Sequence, residues 1–76
     1  NPASDIVNLE YNSEEIESIS VQLFNILGKQ VMSLNLGIAT IGSNRYQLNV
    51  NNLERGMYII KINVGSYSEN QRIFIR

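Results

Sequence analysis

Apolar and polar positions alternate with a period of two along most of the chain. Val7, Leu9 and Tyr11 form one such set, and Ile19, Val21 and Leu23 form a second. Tyr46, Leu48 and Val50 make a third, Tyr58, Ile60, Ile62 and Val64 a fourth, and Ile73 and Ile75 a fifth. Successive side chains of an extended strand point to opposite faces, so each set lines the buried face of a half-buried β-strand. Turn-forming residues separate the sets: Asn12 to Glu15, Leu27-Gly28-Lys29, and Gly65-Ser66. The weaker segments 30–36 and 37–41 are expected to add one strand each. The pattern therefore predicts an all-β fold, an immunoglobulin-like β-sandwich of about seven antiparallel strands with Greek-key connections. Segment 12–18 could hold a helical turn capped by Asn12, but it is too short for a stable helix and reads as a loop.

Composition sharpens this picture. Eleven Ile and eleven Asn residues stand out, the former favouring strands and the latter tolerating turns and positive φ. There is no internal repeat, low-complexity tract or linker, so residues 1–76 read as a single domain. A chain of 76 residues buries only about 60–65% of the surface that its unfolded form exposes, and a deep catalytic cleft would consume core that it needs. With neither Cys nor His, disulfides and Cys/His zinc sites are excluded as staples. Ordinary β packing must hold the domain together.

Candidate chemistry narrows by the same route. A nucleophilic Ser or Thr needs a general base, and the commonest one, His, is missing. The remaining candidates, Glu14, Glu15 and Glu17, stand in a polar stretch with nothing to desolvate them or to separate their pKa values, and they read as a solvated loop. A calcium site on Asp5, Glu10 and the Glu14–Glu17 cluster lacks any recognisable acidic-loop pattern. The reading is thus of a non-enzyme without cofactor. Six Lys and Arg against seven Asp and Glu leave a net charge of −1, no electrostatic footprint for nucleic acid or anionic lipid. No apolar stretch approaches the roughly 20 residues of a membrane helix, so direct membrane insertion is not expected. The start at Asn1-Pro2, without an export signal, reads as the edge of a fragment of a longer protein whose targeting sequence would lie upstream.

Three local features remain. In Leu53-Glu54-Arg55-Gly56-Met57-Tyr58, a Gly just before a strand and a Tyr two residues later fit a tyrosine corner, with Gly56 allowing the bend and the phenol tying back to a nearby backbone group. Gly28, between Asn25-Ile26-Leu27 and Lys29, supplies the positive φ of a hairpin turn; a phosphate loop would need more glycines and a following helix. The ending Gln71-Arg72-Ile73-Phe74-Ile75-Arg76 brackets an apolar triplet with two cations. Ile73 and Ile75 are expected to face the core and Phe74 to face outward or toward a rim, as a final strand that can also dock a partner by edge pairing or side-chain insertion.

Taken in order, the opening Asn1-Pro2-Ala3-Ser4-Asp5, the strand end Val21-Gln22-Leu23-Phe24-Asn25, the turn Gly28-Lys29 followed by Val31, Leu48-Asn49-Val50 with Leu53, Gly56 and Tyr58, and the ending Arg72-Ile73-Phe74-Ile75 resemble the type A C-terminal sorting domain of the Bacteroidetes type IX secretion system. The likeness spans nearly the whole chain and rests on order and spacing, since no single motif is specific. It departs in lacking the Pro that often precedes Asn-Pro and in carrying Arg72 where Lys is favoured, which keeps the charge but not the geometry. The resemblance implies a signal carried by a larger cargo through the periplasm and across the outer membrane, to the cell surface or the medium. It implies partners among the translocon components, an outer-membrane shuttle barrel and a sortase-like peptidase that removes the domain, with the domain itself a monomer and a substrate. Carried onto this sequence, the recognition residues are Arg72, Ile73, Phe74, Ile75 and Arg76, with Gly28 and Gly56 shaping loops and Asn1-Pro2 lying toward the cleavage side. The competing expectation is an immunoglobulin-like adhesion or carbohydrate-binding module, which usually displays an exposed aromatic platform, whereas the aromatics here mostly fall in core-phase positions.

Overall fold

The computed structural model describes residues 6–76. Six strands run through them: β1 (Ile6–Ser13), β2 (Glu17–Phe24), β3 (Gln30–Ala39), β4 (Gly42–Asn49), β5 (Gly56–Val64) and β6 (Tyr67–Ile75). They form two antiparallel sheets, one of β1 and β4 and one in the order β3-β2-β5-β6. The expected Asn1-Pro2 features lie outside the described residues.

The strand count is six among the described residues instead of seven, because segment 30–36 and residues 37–39 of the second segment form one strand. Gly37 does not break it. Ile19 pairs with Gly37 and Ser20 with Asn35, so Leu36 is an extra residue without a partner, absorbed as a β-bulge that kinks the strand without ending it. The Asn35 Oδ1 accepts the Gly37 N–H at 2.9 Å and holds the bulge in shape. The loop expected over 12–18 is likewise shorter: β1 continues through Ser13 and β2 begins at Glu17. Ser13, not Asn12, ties this turn, its buried Oγ donating to the Glu15 carbonyl at 2.6 Å.

Every alternating set predicted to face inward does so. Leu9, Leu48 and Val50 from the two-stranded side meet Ile19, Val21, Leu23, Ala39, Tyr58, Ile60, Ile62, Val64 and Ile75 from the other in one core. Val7, Tyr11, Tyr46 and Ile73 are half-buried against it. Each fully buried Ile, Leu or Val side chain removes enough apolar area from water to contribute about 1.5–3 kcal/mol.

The asparagines work differently from the expectation. No residue other than Gly takes a positive φ among the described residues. Asn25, Asn35 and Asn49 instead accept the backbone N–H two residues on, and Asn44 closes the β3–β4 turn by accepting from Thr40 N–H at 2.9 Å and donating to the Thr40 and Gly42 carbonyls. Such side-chain caps satisfy donors that a tight turn leaves open. Gly28 does carry the positive φ expected of it, 84°. It sits in a turn closed by the Asn25 and Lys29 backbones and by the Asn25 Oδ1, which accepts from both Leu27 and Lys29.

The tyrosine corner is present. Gly56 bends the chain into β5 at φ 144°, and the buried Tyr58 donates its hydroxyl to the Glu54 carbonyl at 2.6 Å. Tyr58→Phe should leave that carbonyl without its partner at a cost of about 1–2 kcal/mol. For a domain of this size that corresponds to a fall in melting temperature of about 4–15 °C. A thermal scan with no measurable shift would show the bond to be dispensable.

Candidate functional site

The topology sorts the strand ends into two poles. At one, the β2–β3 turn, the 50–55 loop, the start of β5 and the end of β6 come together: Asn25, Ile26, Leu27, Lys29 and Val31 line one open groove of about 510 Å³ with Asn52 to Tyr58. At the other, Glu14, Glu15 and Glu17 line a second groove with Val64, Tyr67 and Glu69. The tail residues singled out in the sequence lie at the first pole.

The pleat of β6 divides them. Ile73 stands opposite Tyr58 and is half-buried, while Ile75 stands opposite Gly56 and is buried in the core. Arg72, opposite Ile59, and Phe74, opposite Met57, point to the outer face of the four-stranded sheet. Phe74 is 64% exposed, and the Arg76 guanidinium lies 5.9 Å from its ring centroid, close enough for a cation–π attraction. The structure thus brings Arg72, Phe74 and Arg76 together as a displayed group and uses Ile73 and Ile75 to pin the strand beneath them. Gly28 and Gly56 lie in the turn and at the bend of the same pole.

β6 also offers its backbone. Among the described residues it pairs only with β5, and the Gly65-Ser66 turn makes Val64 and Tyr67 the closing pair. Hydrogen-bonded and non-hydrogen-bonded pairs alternate from there, so the N–H and C=O groups of Ser68, Asn70, Arg72 and Phe74 face away from β5. A free edge of this kind can accept an added strand.

Sequence reasoning missed three neighbours of the tail. Ile26 and Leu27, at the tip of the β2–β3 turn, are 77% and 87% exposed, and Met57 is also exposed. The available signal was an Ile-Leu pair occupying the middle of a four-residue turn, where polar residues usually stand. The aromatics also need correction. Tyr11, Tyr46 and Tyr58 face the core and Phe74 faces outward as expected, but Tyr67 is also exposed and Phe24 is only half-buried, opposite Ile59 on the outer face. Phe24 and Phe74 fall out of core phase because each sits one residue beyond an inward-facing Leu or Ile in a period-2 strand.

Electrostatics inside the site are simple. The one ion pair among the described residues is Glu10–Arg45, 3.6 Å apart and well exposed on the two-stranded sheet. At the far pole, the Tyr67 hydroxyl donates to Glu69 Oε1 at 3.2 Å, and this bond with the adjacent carboxylate charge raises the phenol above its ordinary value.

No curated protein and no solved structure matches the chain. The model of the family described as the secretion system C-terminal sorting domain matches residues 1–76, the whole sequence, and the chain belongs to that family of type IX secretion signals, which directs export to the cell surface or the medium through that machinery.

Proposed function

We propose that this chain is a non-catalytic sorting signal carried by a larger exported cargo, and that the outward face at the end of β6 is what the type IX machinery reads. On this reading the cargo passes through the periplasm. The components that engage the domain are translocon proteins and an outer-membrane shuttle barrel, and a sortase-like peptidase then removes it. The domain acts as a monomer. The two-sheet arrangement, in which β2 and β5 become neighbours through a connection that crosses the second sheet, supports an immunoglobulin-like sandwich with Greek-key character.

The observation that carries the proposal is the tail itself. Phe74 keeps its large apolar ring in water on a strand whose next residue, Ile75, is buried, and Arg72 and Arg76 flank it. A strand under selection for packing alone gains nothing from such a ring, whereas aromatic and Arg side chains dominate the energetics of recognition. The carbohydrate-module reading lacks its platform here: the two most exposed aromatics, Tyr67 and Phe74, stand at opposite ends of β6, about 23 Å apart at strand spacing.

A reporter protein fused ahead of the domain tests this in cells with an active type IX system. Arg72→Ala/Phe74→Ala should leave the reporter in the periplasm while the domain's melting temperature stays within a few degrees of the parent's, because both side chains are exposed. Normal surface delivery of that variant would refute the tail as the read element.

A further inference from the structure

We infer that the read surface extends from the β6 tail across the β2–β3 turn, and that it docks an acidic protein surface carrying its own apolar centre. This rests on the sorting-signal reading and names the chemistry of the partner. Its first support is apolar continuity. Met57 and Phe74 are directly opposite on neighbouring strands and share the outer face, so their side chains are in contact range. Met57 also lines a groove of about 490 Å³ with Phe24, Ile26 and Ile59. Leu27 projects from the same turn. Exposed apolar side chains are ordinary when scattered, but a contiguous cluster rimmed by charge marks an interaction site.

The second support is the sign of that rim. Of the six Lys and Arg in the chain, Lys29 and Arg55 line the groove at this pole, and Arg72 and Arg76 flank Phe74. Glu54 is the one carboxylate among the described residues here. The opposite pole holds Glu14, Glu15, Glu17 and Glu69. The described residues are therefore polarised along the strands, and their field orients the domain so that an acidic partner meets the apolar cluster first. A protein partner fits better than a lipid surface because the free edge of β6 borders the cluster. Its outward N–H and C=O groups are matched by another backbone and by nothing in a bilayer.

The reporter fusion tests the extension separately from the tail. Ile26→Ser/Leu27→Ser and Lys29→Glu/Arg55→Glu should each cut surface-exposed reporter about tenfold, the effect of losing one modest contact group. Their melting temperatures should hold, since the changed side chains are on turns. Lys29→Arg/Arg55→Lys should restore delivery, and Glu14→Lys/Glu15→Lys at the far pole should leave it unchanged. Full delivery from both turn-pole variants, while Arg72→Ala/Phe74→Ala stays retained, would overturn the extension and leave the tail reading standing. Delivery of all three variants would remove the tail reading as well. Purified domain should not sediment with phosphatidylglycerol–phosphatidylcholine vesicles at physiological salt. Sedimentation abolished by Lys29→Glu/Arg55→Glu would assign the patch to a membrane and overturn the acidic protein partner.

Discussion

Ile60→Ala should destabilise the domain by about 3–5 kcal/mol. Ile60 is fully buried at the middle of β5, the strand that joins β2 to β6, so truncation leaves a cavity that neighbours on both sides cannot close. A domain of this length has a total stability of only about 4–11 kcal/mol, and at about 4–8 °C per kcal/mol the melting temperature should fall by more than about 12 °C. Chemical denaturation should show a lowered midpoint with an unchanged slope. A loss below about 1 kcal/mol would mean that the core is not packed as described.

The second large effect concerns the tail strand. Ile75→Asp places a carboxylate where Ile75 is only 5% exposed and faces Gly56. Burying an uncompensated charge costs more than the strand's end can supply, and the expected loss is about 3 kcal/mol or more. Because β6 has a partner strand on one side only among the described residues, the strand should peel from its C-terminal end before the rest unfolds. Amide exchange at 71, 73 and 75, whose N–H groups pair with β5, should accelerate well ahead of that in β2 and β5. Uniform acceleration across the domain, or none, would contradict this view of Ile75 as the pin beneath the displayed residues. The contrast with Arg72→Ala/Phe74→Ala matters, since one change removes the support and the other removes what is supported.

How far the sequence leads can be judged element by element. The inward phase of β1, β2, β4, β5 and β6 follows from alternation alone, because a period of two assigns a face whatever the partner strand is. The same rule separates Ile73 and Ile75 from Phe74. The single β3 was not legible: its bulge at Leu36 depends on the register against β2, and local composition around Gly37 looks the same for a bulge and a turn. The pairing of β1 with β4 depends on contacts between residues more than thirty positions apart, as in Leu9 opposite Tyr46, which no local pattern encodes. The Asn residues announced turns correctly, yet they act through Oδ1 and not through positive φ, a distinction that composition does not make.

The site divides in the same way. Tyr58 and its bond to Glu54 were readable because the corner is a local device whose two ends are four positions apart. The contribution of Ile26, Leu27 and Met57 was not, because exposure of an apolar side chain in a turn has no period. It emerges only when the turn is brought beside the start of β5 and the end of β6. Charge behaved similarly: Lys29 and Arg55 are distant from Arg72 and Arg76 in sequence, and only the strand directions gather them at one pole.

The account stands on the outward face near the end of β6 being read while the strand is folded. Photocrosslinking in type IX-competent cells tests this most directly, with p-benzoylphenylalanine placed at position 74 or, on the same face at the other end of the strand, at position 68. Adducts with a component of the secretion machinery from position 74 and none from position 68 are the predicted result. No adduct from position 74, or equal adducts from both positions, would contradict it.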